Sequence, residues 1–245
     1  MHPLHSRPMS DGVLTRLKRT EHPAGRYMLL RTRGLVHRAQ RGHVVRKRTL
    51  AAYLESTPDP KLHFGAGPKR LEGWLNCDLI GGDIHLDLER ELPFADGSLA
   101  YAFGEHVIGS LSERAGSELM KELHRVLRPG GILRLTTPDL PKLIAIYRDE
   151  NPIVSRDDYT RFLDEETGKR HETPCQVFND TVRLWGIRHT YDEADLTLKL
   201  RAAGFAEVER VEPGESVHEA LRGLELHGEP WVNRAEALCV EATRR

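Results

Sequence analysis

No stretch of about 18 apolar residues occurs anywhere in this 245-residue chain, so nothing in it reads as a membrane-spanning helix. The opening residues, with His2, Pro3, His5 and Arg7, lack the apolar core of a secretory signal. Cysteine is scarce. Cys77, Cys175 and Cys239 are widely spaced and odd in number, and no paired-cysteine motif is present. That argues against a disulfide scaffold or a zinc site and for reduced thiols, so the expected location is cytoplasmic and the expected metal content is none. Net charge is nearly absent too: 36 Lys and Arg face 37 Asp and Glu, which makes no whole-chain case for nucleic acid or a membrane surface. Neither an internal repeat nor a low-complexity tract interrupts the chain.

What the chain does have is unevenly distributed. Residues 1–55 carry twelve Lys and Arg against three Asp and Glu, while the remainder carries twenty-four against thirty-four. Arg31, Arg33, Arg38, Arg41, Arg46 and Arg48 are interleaved with Leu35, Val36, Val44, Val45 and Leu50, a pattern that predicts one or two basic helices. Residues 1–57 therefore read as a basic N-terminal extension, a solvated helical arm or a homodimer contact. The arm has few aromatics for stacking bases and no RNA-binding signature, so nucleic acid is not the expected partner. Ser56-Thr57-Pro58-Asp59-Pro60 marks a break into a second unit, 58–245.

From Lys61 onward, short apolar runs alternate with glycine turns and helical patterns, as in parallel βαβ units. Strands are predicted at Leu62–Phe64, Trp74–Asp78, Ile84–Leu88, Leu99–Phe103 and Ile132–Thr136. Residues 112–127 have helical spacing, with Leu119, Leu123, Val126 and Leu127 on one face. A helix through Leu143, Ile144 and Tyr147 follows Pro138. Residues 150–190 are polar and too long for a plain connection, so they read as an inserted cap or lid. Asp192 is placed to cap a helix ending near Ala203, and Glu207–Val211 and Ala237–Glu241 read as closing strands. The pattern is an α/β fold: a Rossmann-like, seven-stranded, mostly parallel sheet with helices on both faces, plus the N-terminal arm and the inserted cap.

Three features bear on chemistry. Gly65-Ala66-Gly67 follows the first strand, where small residues let the backbone approach a ligand closely. Asp78 ends the second strand, where an acid can accept from both hydroxyls of a ribose. Asp87-Leu88 ends the third run, where an acid can accept from an adenine amino group while the next backbone N–H donates to the ring. A dinucleotide fingerprint fits poorly. The third glycine of GxGxxG is missing from Gly65-Ala66-Gly67-Pro68-Lys69-Arg70, and the acid comes thirteen positions after Gly65 rather than about twenty. Candidate general bases are His106, His189 and Asp139, histidine being the side chain that titrates near neutral pH. His218 and His227 flank a helical pattern through Leu221, Leu224 and Glu225. With His189 they would suit a divalent ion by residue type, but their spacing of nine does not place them on one helix face.

The segments Lys61–Pro68, Gly73–Leu79, Leu92–Ser98, Glu105–Val107, Val126–Gly131 and Thr137–Asp139, in that order, resemble bacterial class I S-adenosylmethionine-dependent methyltransferases of the type-11 group. The resemblance spans roughly residues 61–140, with Tyr191 through Phe205 and the closing strands also fitting. It implies a sheet with one antiparallel strand and S-adenosylmethionine (released as S-adenosylhomocysteine) lying across strands one to four. Gly65, Ala66 and Gly67 would pass under the methionine part. Asp78, followed by Leu79, would hold the ribose, Asp87 and Leu88 would meet the adenine, and Glu105 and His106 would lie near the methionine end. The implied reaction is methyl transfer to oxygen or nitrogen of a small-molecule acceptor. An RNA methyltransferase using the basic arm, and a binding module that kept the fold without turnover, remain open at this point. The sequence departs from the family at Gly109-Ser110, where relatives often repeat Glu-His.

Overall fold

The structure, a computed structural model, describes residues 43–245 except Leu184, Leu226 and His227. Residues 1–42, with most of the basic arm, lie outside the described residues, as does His227. Seven strands form one sheet in the order β3-β2-β1-β4-β5-β7-β6. They are β1 (Lys61–Phe64), β2 (Leu75–Asp78), β3 (Ile84–His85), β4 (Leu99–Glu105), β5 (Leu127–Pro138), β6 (Glu207–Val211) and β7 (Ala237–Thr243). All neighbours are parallel except β7, which runs antiparallel to both β5 and β6. The order reverses beside β1, so the crevice between β1 and β4 opens at their carboxyl ends, where open α/β sheets bind ligands. The expected seven-stranded, mostly parallel sheet is borne out.

One sheet face is covered by α1 (His43–Ser56), α2 (Glu113–Val126) and α6 (Glu193–Ala202). Leu50 of α1, Leu119, Met120, Leu123 and Val126 of α2, and Leu196 and Leu200 of α6 meet Leu62, Phe64, Leu133, Leu135 and Val240 of the strands in the main core. The alternation of apolar residues along β5 and β7 and the 3.6-residue spacing in α2 dictate this packing. Ser112 caps α2 by accepting from the Ala115 N–H, and Asp192 caps α6 by accepting from the Asp195 N–H, as its position predicts. The end of the predicted basic arm is thus α1, docked by Leu50, Tyr53 and Leu54. The Tyr53 hydroxyl accepts from the Lys61 N–H at 2.9 Å, anchoring α1 to the first strand.

The opposite face differs from the expected pattern of alternating helices. Residues 65–74, joining β1 to β2, form turns and no helix. Asn76 holds this connection: its Oδ1 accepts from the Leu71 N–H (2.8 Å), and its Nδ2 donates to the carbonyls of Leu71 (3.0 Å) and Trp74 (2.9 Å). Leu71 and Trp74 then join Tyr101, Phe103, Ile132, Leu221 and Leu224 in a smaller core. Residues 212–225, predicted to be helical near Leu221–Glu225, are loop apart from a short turn at Glu219–Leu221. They are fixed by Arg134, which is fully buried on β5. Its Nε donates to Glu225 (2.7 Å) and its Nη1 to Glu241 (2.5 Å) and the Glu215 carbonyl (2.8 Å). Burial opposes ionisation of Glu225, but the Arg134 guanidinium outweighs it and holds that carboxyl below its usual range.

One other expectation changes. The third strand stops at His85 rather than Leu88; the Leu86 N–H makes its last bond to β2, donating to the Asp78 carbonyl at 3.0 Å. The polar insert at residues 150–190 is partly helical. It contains α4 (Arg156–Thr167) and α5 (Pro174–Thr181), which pack with α3 (Leu140–Arg148) and the unanticipated α7 (Pro230–Glu236). Leu143, Ile146, Tyr159, Leu163, Val177 and Ala235 make a separate core there, apart from the main core of the sheet. No helix among the described residues is long and apolar enough to cross a membrane.

Candidate functional site

Gly65 and Gly67 follow β1 with φ of +67° and +55°, angles that L side chains rarely adopt. A Cβ on Gly65 would lie 2.5 Å from Val107 Cγ2, so the turn passes directly beneath the segment leaving β4. A Cβ on Gly67 would meet nothing within 4 Å, so space remains beside the turn there. The Gly67 N–H donates to Asp78 Oδ2 at 2.9 Å, and the Ile80 N–H donates to Asp78 Oδ1 at 2.9 Å. Two backbone donors therefore fix a half-exposed carboxylate at the mouth of the crevice, with lone pairs still free for ligand hydroxyls. Leu79 beside it is also half-buried.

The Leu86 N–H to Asp78 carbonyl bond brings the next predicted acid alongside. Asp87 Oδ1 accepts from the Glu89 N–H (3.1 Å), and its Oδ2 pairs with Arg90 (3.2 Å); Leu88 is half-buried. From the other side of the crevice, Glu105 is the last residue of β4, in register with Thr136 of β5. His106 follows with φ +50°, a left-handed angle for a non-glycine residue, held by its N–H to the Thr136 carbonyl at 2.8 Å. Such angles cost free energy and persist where the surroundings impose them, often at functional sites. Its Nε2 lies 3.5 Å from Asn233 Oδ1 on α7, so the strand end faces that helix. Gly65, Ala66, Gly67, Asp78, Asp87, Leu88, Glu105 and His106 thus line the carboxyl ends of β1 to β4.

The other candidate bases are placed differently. His189 lies where the chain returns from the cap: its N–H and that of Arg188 donate to the Gly109 carbonyl (3.1 and 2.7 Å). Its Nε2 is 2.9 Å from Asp195 Oδ2, and its ring stands edge-on to Tyr191. Glu113, His189 and Asp195 bring three donor atoms within 4.8 Å of one another, a set that could hold a cation. Lys199 already supplies positive charge there, 2.7 Å from Glu113 and 3.0 Å from Asp195. Burial disfavours the Asp195 carboxylate, but hydrogen bonds from His189 and Lys199 hold it below its usual range. His218 does not join this group; it lies edge-on to Tyr101 on the far face. Asp139 is buried at the end of β5, its Oδ2 paired with Arg210 of β6 at 2.9 Å. Burial raises its pKa against the pull of Arg210.

Val107, Asn76 and Asn233 adjoin the site; the first two fall in the motif segments, but the sequence assigns no role to any of the three. Their roles depend on contacts 2 to 127 positions apart, which follow no regular spacing.

Residues 65–135 match a family model described as a methyltransferase domain. That match bears out the resemblance read from the motifs, over most of the stretch that carried it. No curated protein matches the chain. Among solved structures it is similar to a possible histamine N-methyltransferase from Thermotoga maritima, at 15% identity and a TM-score of 0.42, covering 86% of this chain and 96% of that one. It is also similar to an S-adenosylmethionine-dependent methyltransferase from Mesorhizobium loti (18%, TM-score 0.44, 79% and 96%). A third is a Haloferax volcanii methyltransferase complex with the activator Trm112 (13%, TM-score 0.42, 82% and 90%).

Proposed function

We propose that this chain, with its methyltransferase domain at residues 65–135, is a class I enzyme that transfers a methyl group from S-adenosylmethionine to oxygen or nitrogen of a small acceptor lying under the cap. The observation that carries the reading is the Gly67 N–H to Asp78 bond, which locks a glycine turn and an acid together at a topological switch point. The residues fit the donor. Asp78 has acceptor capacity for both ribose hydroxyls, with Leu79 beside it. Asp87 and the backbone at Leu88 offer an acceptor and a donor to the adenine edge. The missing Cβ atoms at Gly65 and Gly67 leave the backbone open to the methionine part, with Glu105 and His106 across the crevice.

When bound, the donor supplies an already activated sulfonium methyl group for in-line displacement. The protein's share is alignment, worth up to about 7–11 kcal/mol of barrier, and proton removal from the acceptor, worth roughly 10²–10⁴-fold. We assign proton removal to His106, whose forced backbone angle sets its ring between the strand end and Asn233. His189, tied to Asp195, takes the role of shaping the acceptor side. Asp139, committed to Arg210, secures β6 to the end of β5.

Calorimetric titration with S-adenosylmethionine tests the reading. Micromolar binding is expected for the native chain, weakened at least tenfold by Asp78→Ala, with labelled methyl donor then identifying the acceptor. A folded native protein that binds no donor refutes the proposal.

A further inference from the structure

A groove of about 490 Å³ runs along the outer side of the cap, between α4, α7 and the segment leading into α4. That size suits a small molecule. Its lining combines two chemistries. Phe162 and Trp231 meet edge to face with ring centroids 5.4 Å apart, and Ile153 beside them is 50% exposed. Around them stand the carboxylates Glu165 and Glu229, both exposed. Neither side chain has an ion pair or hydrogen bond among the described residues. The remaining charges in the groove cancel, since Arg161 pairs with Asp158 one helical turn earlier.

An aromatic pair with two uncompensated carboxylates is the chemistry that receives an organic cation. The indole face attracts a cation through its quadrupole, tryptophan being the best ring for this. The apolar body of the ligand covers Ile153 and Phe162, and Glu165 and Glu229 supply the countercharge. We infer that this groove is a second ligand site, for an amphiphilic organic ammonium ion. It goes beyond the methyl-transfer reading and does not depend on it. Trp231 and Asn233 are two positions apart on α7, about 200° around the helix at 100° per residue, so the groove and the His106 side occupy opposite faces.

Calorimetric titration with benzyltrimethylammonium tests this, with benzyl alcohol as the uncharged comparison. Saturable binding of the cation is expected, with no measurable heat from the alcohol. The double variant Glu165→Gln, Glu229→Gln should weaken binding roughly tenfold. Both side chains are exposed and unpartnered, so folding should be unaffected. Trp231→Phe should weaken it several-fold while keeping an aromatic ring against Phe162. Equal affinity in the double variant, or equal binding of the alcohol, overturns the inference. Displacement of the cation by saturating S-adenosylhomocysteine also overturns it, because the cation would then occupy the donor crevice. Absence of donor binding in the native chain would refute the methyl-transfer reading and leave this result unaffected.

Discussion

Replacing Glu236 by glutamine should make the protein more stable at alkaline pH and leave it nearly unchanged near pH 4.5. Glu236 ends α7, and its carboxyl accepts a hydrogen bond from Tyr159 at the centre of the cap. Burial pushes its pKa up to about 7 from the ordinary 4.5, against the opposing influence of the Tyr159 hydroxyl and the Lys142 charge. Between those two values the folded protein holds a proton that the unfolded chain has released. Stability from this group is therefore complete below about pH 4.5, declines as pH rises, and levels off above about 7. The full displacement corresponds to about 3 kcal/mol at about 1.4 kcal/mol per pH unit. Part of the residue still reaches solvent, so about 2–3 kcal/mol is the expected size. Glutamine keeps the carbonyl that accepts from Tyr159 but cannot ionise. Urea unfolding of both proteins from pH 4.5 to 8.5, followed by tryptophan fluorescence, measures the difference directly. The variant should gain on the native chain by about 2–3 kcal/mol across that range. Two stability curves that stay parallel would show that folding does not suppress ionisation of Glu236, and the reasoning would fail.

Two further outcomes follow from single contacts. Gly65→Ala places a Cβ 2.5 Å from Val107 at φ +67° and should destabilise the fold by roughly 2 kcal/mol or more. It should also abolish S-adenosylmethionine binding, as read by denaturation and titration of the same sample. Arg134→Met strips a buried guanidinium from Glu225 and Glu241, and should cost about 3–5 kcal/mol in urea unfolding. Adding Glu225→Gln and Glu241→Gln to that variant should recover much of the loss, since no buried charge is then left alone.

The legible parts of this structure are those where the local pattern and tertiary packing agree. The helical spacing of Leu119, Leu123 and Val126, the cap at Asp192 and the strand Glu207–Val211 all appear where the sequence predicts them. The glycine turn and Asp78 are legible because small residues and a strand-end acid serve a local geometric need. The far face was not. Leu221, Leu224 and Glu225 have helical spacing, but Glu225 is drawn to Arg134 and the two leucines to Ile132 and Phe103, and these contacts outweigh helix propensity. Helix α7 was missed because Pro230 opens a run of only seven residues, too short for periodicity to register. Asn233, whose side chain meets His106, sits on that helix.

The connection after β1 carries the most weight in this design, because it does without a helix. In a longer crossover the first turn of a helix would fix the glycine backbone. Here ten residues must close the connection, and Asn76 makes three of the side-chain hydrogen bonds that hold them, beside those of Asp78 to Gly67 and Tyr53 to Gly73. Asn76 binds Leu71 and Trp74 by three hydrogen bonds and His63 Nδ1 by a fourth at 3.0 Å. It is buried on the strand that ends in Asp78. Asn76→Ala would leave the Leu71 N–H and the Trp74 carbonyl without their partner, a penalty of about 1–3 kcal/mol per group that stays dry. The expected loss is about 2–4 kcal/mol in denaturant unfolding. If Asn76 also fixes the glycine turn, donor affinity should fall several-fold even under conditions where the variant is fully folded, although Asn76 is not among the residues assigned to the donor. A variant that loses stability yet binds S-adenosylmethionine with native affinity would mean that Gly67 and Asp78 position each other without help. The missing helix would then have no functional consequence.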